Sequence, residues 1–251
     1  MRRIALAAAT LVAALVAMLV PRVAFAKTSA SQELGDPLRL DEVQGNREVY
    51  YYKPRAAHGL KPVLVYLHGR GGNPIEDCRK WAKVGRQFGW VVCPAGPGTT
   101  DTGGHTWSGG APDAEKELDA TVAALRDKYH RRVQLRGNVL IGFSEGAFVA
   151  MNVGLKEQRV WNRWLILGAS DAYWGGGVDD AFDPEKRKVK RVYLLTGEND
   201  GVAQNTVRVG ETLKKNHVPV KVRLVPGMGH EVPADRMVNT YRRPLRWLLA
   251  G

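Results

Sequence analysis

The segment Asn138-Val139-Leu140-Ile141-Gly142-Phe143-Ser144-Glu145-Gly146-Ala147 decides the fold. Its first half is apolar on successive residues, the pattern of a strand covered on both faces. An Ala/Val/Met-rich helical stretch follows at once, so the chain must reverse sharply around Ser144. Glycines two positions to either side permit that reversal without Cβ clashes. A serine hydroxyl is a weak nucleophile unless a tight turn exposes it beside a base. The same turn aims the first amides of the helix at the point where negative charge would develop. The bland alternative is a glycine-rich strand–helix turn with an incidental serine, which predicts no partner groups elsewhere in the chain.

Partner groups are present. His68-Gly69-Arg70-Gly71-Gly72 closes another apolar run, PVLVYL at 62–67. An oxyanion needs two converging N–H donors: Glu145 supplies one, and this small-residue loop the other. Arg70 is the first candidate through its main chain and Gly71 the second, while His68 is expected to brace the loop. A base is expected after the nucleophile, and His230 in Val225-Pro226-Gly227-Met228-Gly229-His230 stands just past the last strand. His58, His130 and His217 lie in polar surroundings, and His105 precedes the serine in a glycine-rich loop. The orienting acid is expected in Thr196-Gly197-Glu198-Asn199-Asp200-Gly201, with Asp200 first, Glu198 its rival and Asp171 a further alternative.

Working outward, apolar runs at 62–67, 90–93, 138–142, 164–167, 192–195 and 220–225 read as strands. Leu118, Val122, Leu125 and Tyr129 recur at helical spacing, and the stretch 207–213 continues that rhythm. Strand–helix alternation implies an α/β fold, a mostly parallel central sheet with helices on both faces. Residues 40–53 predict an antiparallel hairpin at one edge, turning at Gly45-Asn46. The 251 residues carry no repeat or low-complexity linker, so one domain, 27–251, is expected. Chemistry in such a sheet belongs in the loops at the carboxyl ends of the strands.

The set HGRGG, GFSEG, TGENDG and PGMGH, in that order, resembles the α/β-hydrolase superfamily. Within it, the chain is similar to compact bacterial esterases of the phospholipase/carboxylesterase and dienelactone-hydrolase type. The resemblance runs from about Val43 to Leu249. It implies the α/β-hydrolase fold with no large lid domain, ester cleavage through an acyl-enzyme, and no cofactor or metal. It also implies that Ser144, Asp200 and His230 form the catalytic triad, with the amides of Arg70 and Glu145 at the oxyanion positions. The family often has Gln, His or Met after the nucleophile. The acidic Glu145 departs from that, and its charge is expected to disfavour acidic substrates.

The remaining features bound the setting. Arg2 and Arg3, an apolar run at 4–20 and Ala24-Phe25-Ala26 read as a secretory signal peptide, 1–26, the alternative being an uncleaved membrane anchor. Export implies a secreted or periplasmic protein whose membrane contact ends at cleavage. In an oxidising compartment Cys78 and Cys93 are expected to pair, a loop that would stabilise by about 3 kcal/mol; the alternative is two small buried hydrophobes. Trp107 and Trp174 stand on glycine-rich stretches, either as walls of a substrate pocket or as plugs over the core. The chain has 37 Lys+Arg against 25 Asp+Glu, and loses three arginines with the signal peptide. Its basic residues are scattered and no nucleic-acid motif accompanies them, so no nucleic-acid partner is expected. The expected partner is a small-molecule or polymer-linked ester. A peptidase or amidase on the same fold, and a non-catalytic basic binding protein, are the alternative functions.

Overall fold

The structure, a computed structural model, describes residues 34–250 apart from 42, 44–47, 57, 175–177 and 184. The signal peptide read at 1–26 lies outside the described residues. In chain order the elements are β1 (Leu38–Arg39), β2 (Val49–Tyr52), β3 (Val63–Leu67), α1 (Pro74–Gly85), β4 (Trp90–Pro94), β5 (Gly98–Thr99), β6 (His105–Thr106) and α2 (Gly110–Tyr129). There follow β7 (Val139–Phe143), α3 (Glu145–Lys156), β8 (Arg163–Leu167), α4 (Val178–Ala181), β9 (Arg191–Gly197), α5 (Ala203–Lys215), β10 (Val220–Val225) and α6 (Met237–Leu249).

Eight strands form one sheet in the order β1-β2-β4-β3-β7-β8-β9-β10. From β4 to β10 every neighbouring pair is parallel, and β1 and β2 add antiparallel strands at one edge. The expected edge hairpin is therefore present, although its turn falls outside the described residues. β5 and β6 make a separate small hairpin above the sheet's rim. The protein has the α/β-hydrolase fold, and no large lid is present among the described residues.

Successive side chains along the strands point to opposite faces, and since both faces are covered they sort into two apolar layers. Val63, Val65, Leu67, Leu140, Trp164 and Ile166 join Leu118, Val153 and Leu213 of α2, α3 and α5. Leu64, Tyr66, Ile141 and Leu165 join Trp81 of α1 with Tyr241 and Leu245 of α6 on the opposite face. Each of these buried side chains contributes about 1.5–3 kcal/mol relative to exposure, so layer packing holds the helices. A local signal sets where α1 begins: Asn73 accepts from the amides of Ile75 at 3.0 Å and Glu76 at 3.1 Å, ahead of Pro74.

The structure does not show the expected disulfide: Cys78 of α1 and Cys93 of β4 are neighbours in the second layer, each with a free thiol. The Cys78 thiol donates to the Tyr50 carbonyl at 3.4 Å. Burial, and then the adjoining Cys78, pushes the Cys93 thiol well above its usual range. Helix-on-sheet packing uses both as small apolar groups. No helix among the described residues is long and apolar enough to cross a membrane.

Candidate active site

β7 ends at Phe143 and α3 begins at Glu145, so Ser144 alone makes the reversal, with φ 54° and ψ −119°. A side chain avoids that region, at a cost of order 1–3 kcal/mol. The two glycines are required by contact. A Cβ on Gly142 would lie 2.4 Å from the Gly146 carbonyl oxygen, and one on Gly146 would lie 2.2 Å from that of Leu67. The turn is pinned to the sheet by the Ser144 amide, which donates to Leu167 of β8 at 3.1 Å. The Ser144 hydroxyl makes no hydrogen bond among the described residues and does not cap α3.

Asp200 follows β9 and His230 follows β10, and their loops are tied together. The Glu198 amide donates to Val225 at 2.9 Å and the Asn199 amide to Met228 at 3.0 Å. His230 Nδ1 then lies 2.8 Å from Asp200 Oδ2. The Asp200 side chain is only 3% exposed, whereas that of His230 is 42% exposed. Burial pushes the Asp200 carboxyl up, but donors from the Val202 amide, the Thr196 hydroxyl at 2.7 Å and His230 outweigh it, and its pKa is lowered. The anion is therefore the form this pocket holds. The imidazole packs on Phe143, ring centroids 4.8 Å apart. On another side it meets Gly168, where a Cβ would lie 3.0 Å from His230 Cε1. Phe143 precedes Ser144, and Gly168 follows the Leu167 that Ser144 binds. The serine, imidazole and carboxylate thus gather at one rim, with no hydrogen bond between Ser144 and His230.

The rival groups are elsewhere. Glu198 is exposed, and Asp171 is held by Arg208 at 2.7 Å and by Asn205 at 2.9 Å. His58, His130 and His217 are exposed. His105 is part-buried, and its main chain exchanges hydrogen bonds with Gly71 and Gly72.

The loop after β3 supplies the facing wall. A Cβ on Gly69 would lie 3.2 Å from Ser144 Cβ, so this loop overhangs the turn. Neither the Arg70 amide nor the Glu145 amide has a partner among the described residues, which leaves both as open donors. Gly71 is corrected: its amide already donates to the His105 carbonyl at 2.8 Å, and its φ of 79° explains the glycine. His68 braces the loop as expected. Its Nε2 accepts from the Gly96 amide at 3.0 Å, so Nδ1 carries the proton and donates to Gly69 at 2.7 Å. Burial lowers its pKa.

Of the two tryptophans, Trp107 is buried in the core and Trp174 packs partly on it. Trp107 is 2% exposed, donates from its indole to the His68 carbonyl at 3.0 Å and packs on the His68 ring at 5.3 Å. Trp174 is half-buried against Phe182, ring centroids 6.0 Å apart, on the first apolar layer. The Glu145 carboxylate is engaged: it accepts from Thr106 Oγ1 at 2.7 and 2.8 Å and from the Trp107 amide at 3.0 Å. Residues that sequence reading missed are Thr196, Phe143, Gly168 and Thr106. Thr196 and Phe143 stand inside the TGENDG and GFSEG motifs, whereas Gly168 and Thr106 lie outside all four motifs. Among the described residues no group of three or more His, Cys, Asp or Glu is placed to hold a metal.

Fold and rim geometry together define an α/β hydrolase-type scaffold. No family model and no curated protein matches the chain. Among solved structures it is similar to esterase PE8, with TM-score 0.63 and 21% identity over 79% of this chain and 97% of that one. It is also similar to a Bacillus cereus carboxylesterase, with TM-score 0.59 and 16% identity over 82% and 94% of the two chains. An S-formylglutathione hydrolase from Staphylococcus aureus aligns with TM-score 0.60 and 15% identity over 81% and 93%. At these identities the likeness establishes the fold.

Proposed function

We propose that the protein is a serine hydrolase of carboxylic esters. The observation that carries this reading is a serine on a strained strand–helix turn, beside a histidine whose Nδ1 is bound by a buried carboxylate at 2.8 Å. Ser144 attacks the ester carbonyl while His230 Nε2 takes its proton. Asp200 keeps Nδ1 protonated and stabilises the imidazolium. The Arg70 and Glu145 amides receive the developing oxyanion. His230 then returns the proton to the leaving alcohol, and water repeats the cycle to release the acid. The half-exposed imidazole between Phe143 and Gly168 suits this, because its bound face is fixed and its other nitrogen has access to solvent.

That the structural neighbours include esterases, among them a ferulic acid esterase, favours an ester over an amide as substrate. The alcohol or acyl part is a small molecule or a polymer-linked group. We read the chain as secreted or periplasmic on the strength of the segment 1–26. The test is turnover of short p-nitrophenyl esters, with fluorophosphonate labelling, by protein purified from the exported fraction. Ser144→Ala is expected to abolish labelling and lower kcat by about 10⁴-fold or more. Unchanged labelling would defeat the serine assignment, and retention of residues 1–26 would defeat the processing.

A further inference from the structure

A carboxylate next to a serine nucleophile, with its own backbone amide facing the developing negative charge, is an unfavourable choice unless the side chain does something specific. The Glu145 side chain is turned away from the turn and into the small hairpin of β5 and β6. Both its oxygens accept from Thr106 Oγ1, at 2.7 and 2.8 Å, and Oε2 also accepts from the Trp107 amide at 3.0 Å. Arg70 Nη1 lies 3.5 Å from Oε1, with its guanidinium largely in solvent.

The hairpin strand that Glu145 grips is in turn bonded to the loop that carries the second open amide. The Gly71 amide donates to His105, and the His105 amide donates to Gly72 at 3.0 Å. The Trp107 indole donates to the His68 carbonyl. Residues 105, 106 and 107 therefore face two ways, holding 68, 71 and 72 on one side and Glu145 on the other. Arg70 lies inside the span that is held. Hydrogen bonds and the intervening main chain thus link the Glu145 carboxylate, through β6, to the amide of Gly71, the residue next to Arg70.

We propose that Glu145 is a positioning residue for ester cleavage: its carboxylate clamps the β6 strand and thereby sets the spacing between its own amide and that of Arg70. This rests on the serine-hydrolase reading above. Two donors act together on one oxygen only when both lie at hydrogen-bond distance from it. A clamp from the residue supplying the first donor to the strand holding the second fixes that distance before substrate arrives. A charged acceptor suits the task, because hydrogen bonds to an ionised group are shorter and stronger than neutral ones. The wall so formed is braced internally by His68, whose two ring nitrogens are both used.

The experiment measures kcat and KM for p-nitrophenyl acetate on the full chain and on Glu145→Ala, Glu145→Gln, Thr106→Val and the Glu145→Ala/Thr106→Val double variant. Misplacing one donor is expected to lower kcat by about 10–10²-fold in Glu145→Ala, with KM within about threefold. Glu145→Gln keeps one acceptor oxygen and is expected to recover part of that loss. Thr106→Val leaves Glu145 and its amide in place, so it decides the matter if Glu145→Ala does not fold. It is expected to lower kcat by about tenfold with KM again unchanged, and the double variant is expected to be little worse than Glu145→Ala alone. Parental kcat in Thr106→Val, or losses in the two single variants that simply multiply, would overturn the clamp. Ser144→Ala in the same assay separates the two ideas. If it abolishes turnover while Thr106→Val is parental, only the clamp falls; if it retains turnover, the serine-hydrolase reading falls first.

Discussion

The two ends of the parallel strands use polar side chains in opposite ways. At the amino end, Arg163 opens β8 and Arg191 opens β9, and main-chain carbonyls take up their donors. Arg163 donates to Leu248 at 2.9 Å, Gly137 at 2.6 Å and the Asn162 side chain at 2.8 Å. Arg191 donates to Trp247 at 2.7 Å and to Ala250, at the carboxyl end of α6 where cations are favoured. A hollow of about 590 Å³ lies among these groups, lined by Arg187, Lys190 and Trp247, with no serine, histidine or carboxylate. At the carboxyl end the same strands lead to Ser144, Gly168 and Asp200. There the Ser144 hydroxyl and the Arg70 and Glu145 amides have no partner among the described residues. Spent polar groups at one end hold the fold; unspent ones at the other are available to a substrate. Unused hydrogen-bonding capacity, rather than the presence of a hollow, is the guide to chemistry here.

The contrast is broken most directly at Asp200. Asp200→Asn keeps the side chain's shape but removes the acceptor that holds Nδ1 protonated, so the imidazole adopts the wrong tautomer for accepting the Ser144 proton. Such a change is expected to lower kcat by about 10⁴-fold, read with p-nitrophenyl esters. Activity near the parental level would mean that the 2.8 Å contact is structural, and that the two ends do not differ as argued.

Arg163→Ala is the reciprocal test at the amino end. Burial first, and then the Arg191 guanidinium, pulls the Arg163 pKa down, so it is held against an electrostatic cost by its three acceptors. Removing it leaves the Leu248 and Gly137 carbonyls without that donor, which is expected to destabilise by about 1–3 kcal/mol. In a chain of this size each kcal/mol lowers Tm by about 2–4 °C. The kcat is expected to stay within about twofold of the parent. A large loss of activity without a fall in Tm would show that the amino end takes part in the chemistry.

Much of this division was legible in the chain. Unalternating apolar runs located the parallel strands, because a sheet covered on both faces leaves no polar side to mark. Ser144, His230 and Asp200 could be read because each follows a strand within a few residues, where glycines allow tight loops. What escaped depends on distances between segments far apart in sequence. Nothing local says that the Gly71 amide meets the His105 carbonyl, that Trp107 turns inward onto His68, or that the Glu145 carboxylate finds Thr106. Phe143 and Gly168 are generic residues until the fold brings them against His230.

The smallest effect sharpens the comparison within the rim itself, where two histidines differ. His68 is 1% exposed with both ring nitrogens engaged, whereas the His230 side chain is 42% exposed and bound through Nδ1. His68 is spent in the same sense as Arg163, although it stands at the carboxyl end. Burial lowers its pKa from 6.5, since protonation would put a charge in the wall and turn Nε2 from acceptor to donor against the Gly96 amide. In the unfolded chain it titrates near 6.5, so above that pH its contribution to stability is fully present. As pH falls from 6.5 towards the lowered folded value, the unfolded chain takes up a proton that the folded one refuses. Stability is then lost, by at most about 1.4 kcal/mol per pH unit from this group. Urea unfolding of the parent at pH 5, 6 and 7 is expected to show that slope, and His68→Gln to flatten it whatever its absolute stability. An equal slope in both proteins would mean that His68 is not the neutral brace described, and that spent and unspent histidines cannot be told apart by their contacts.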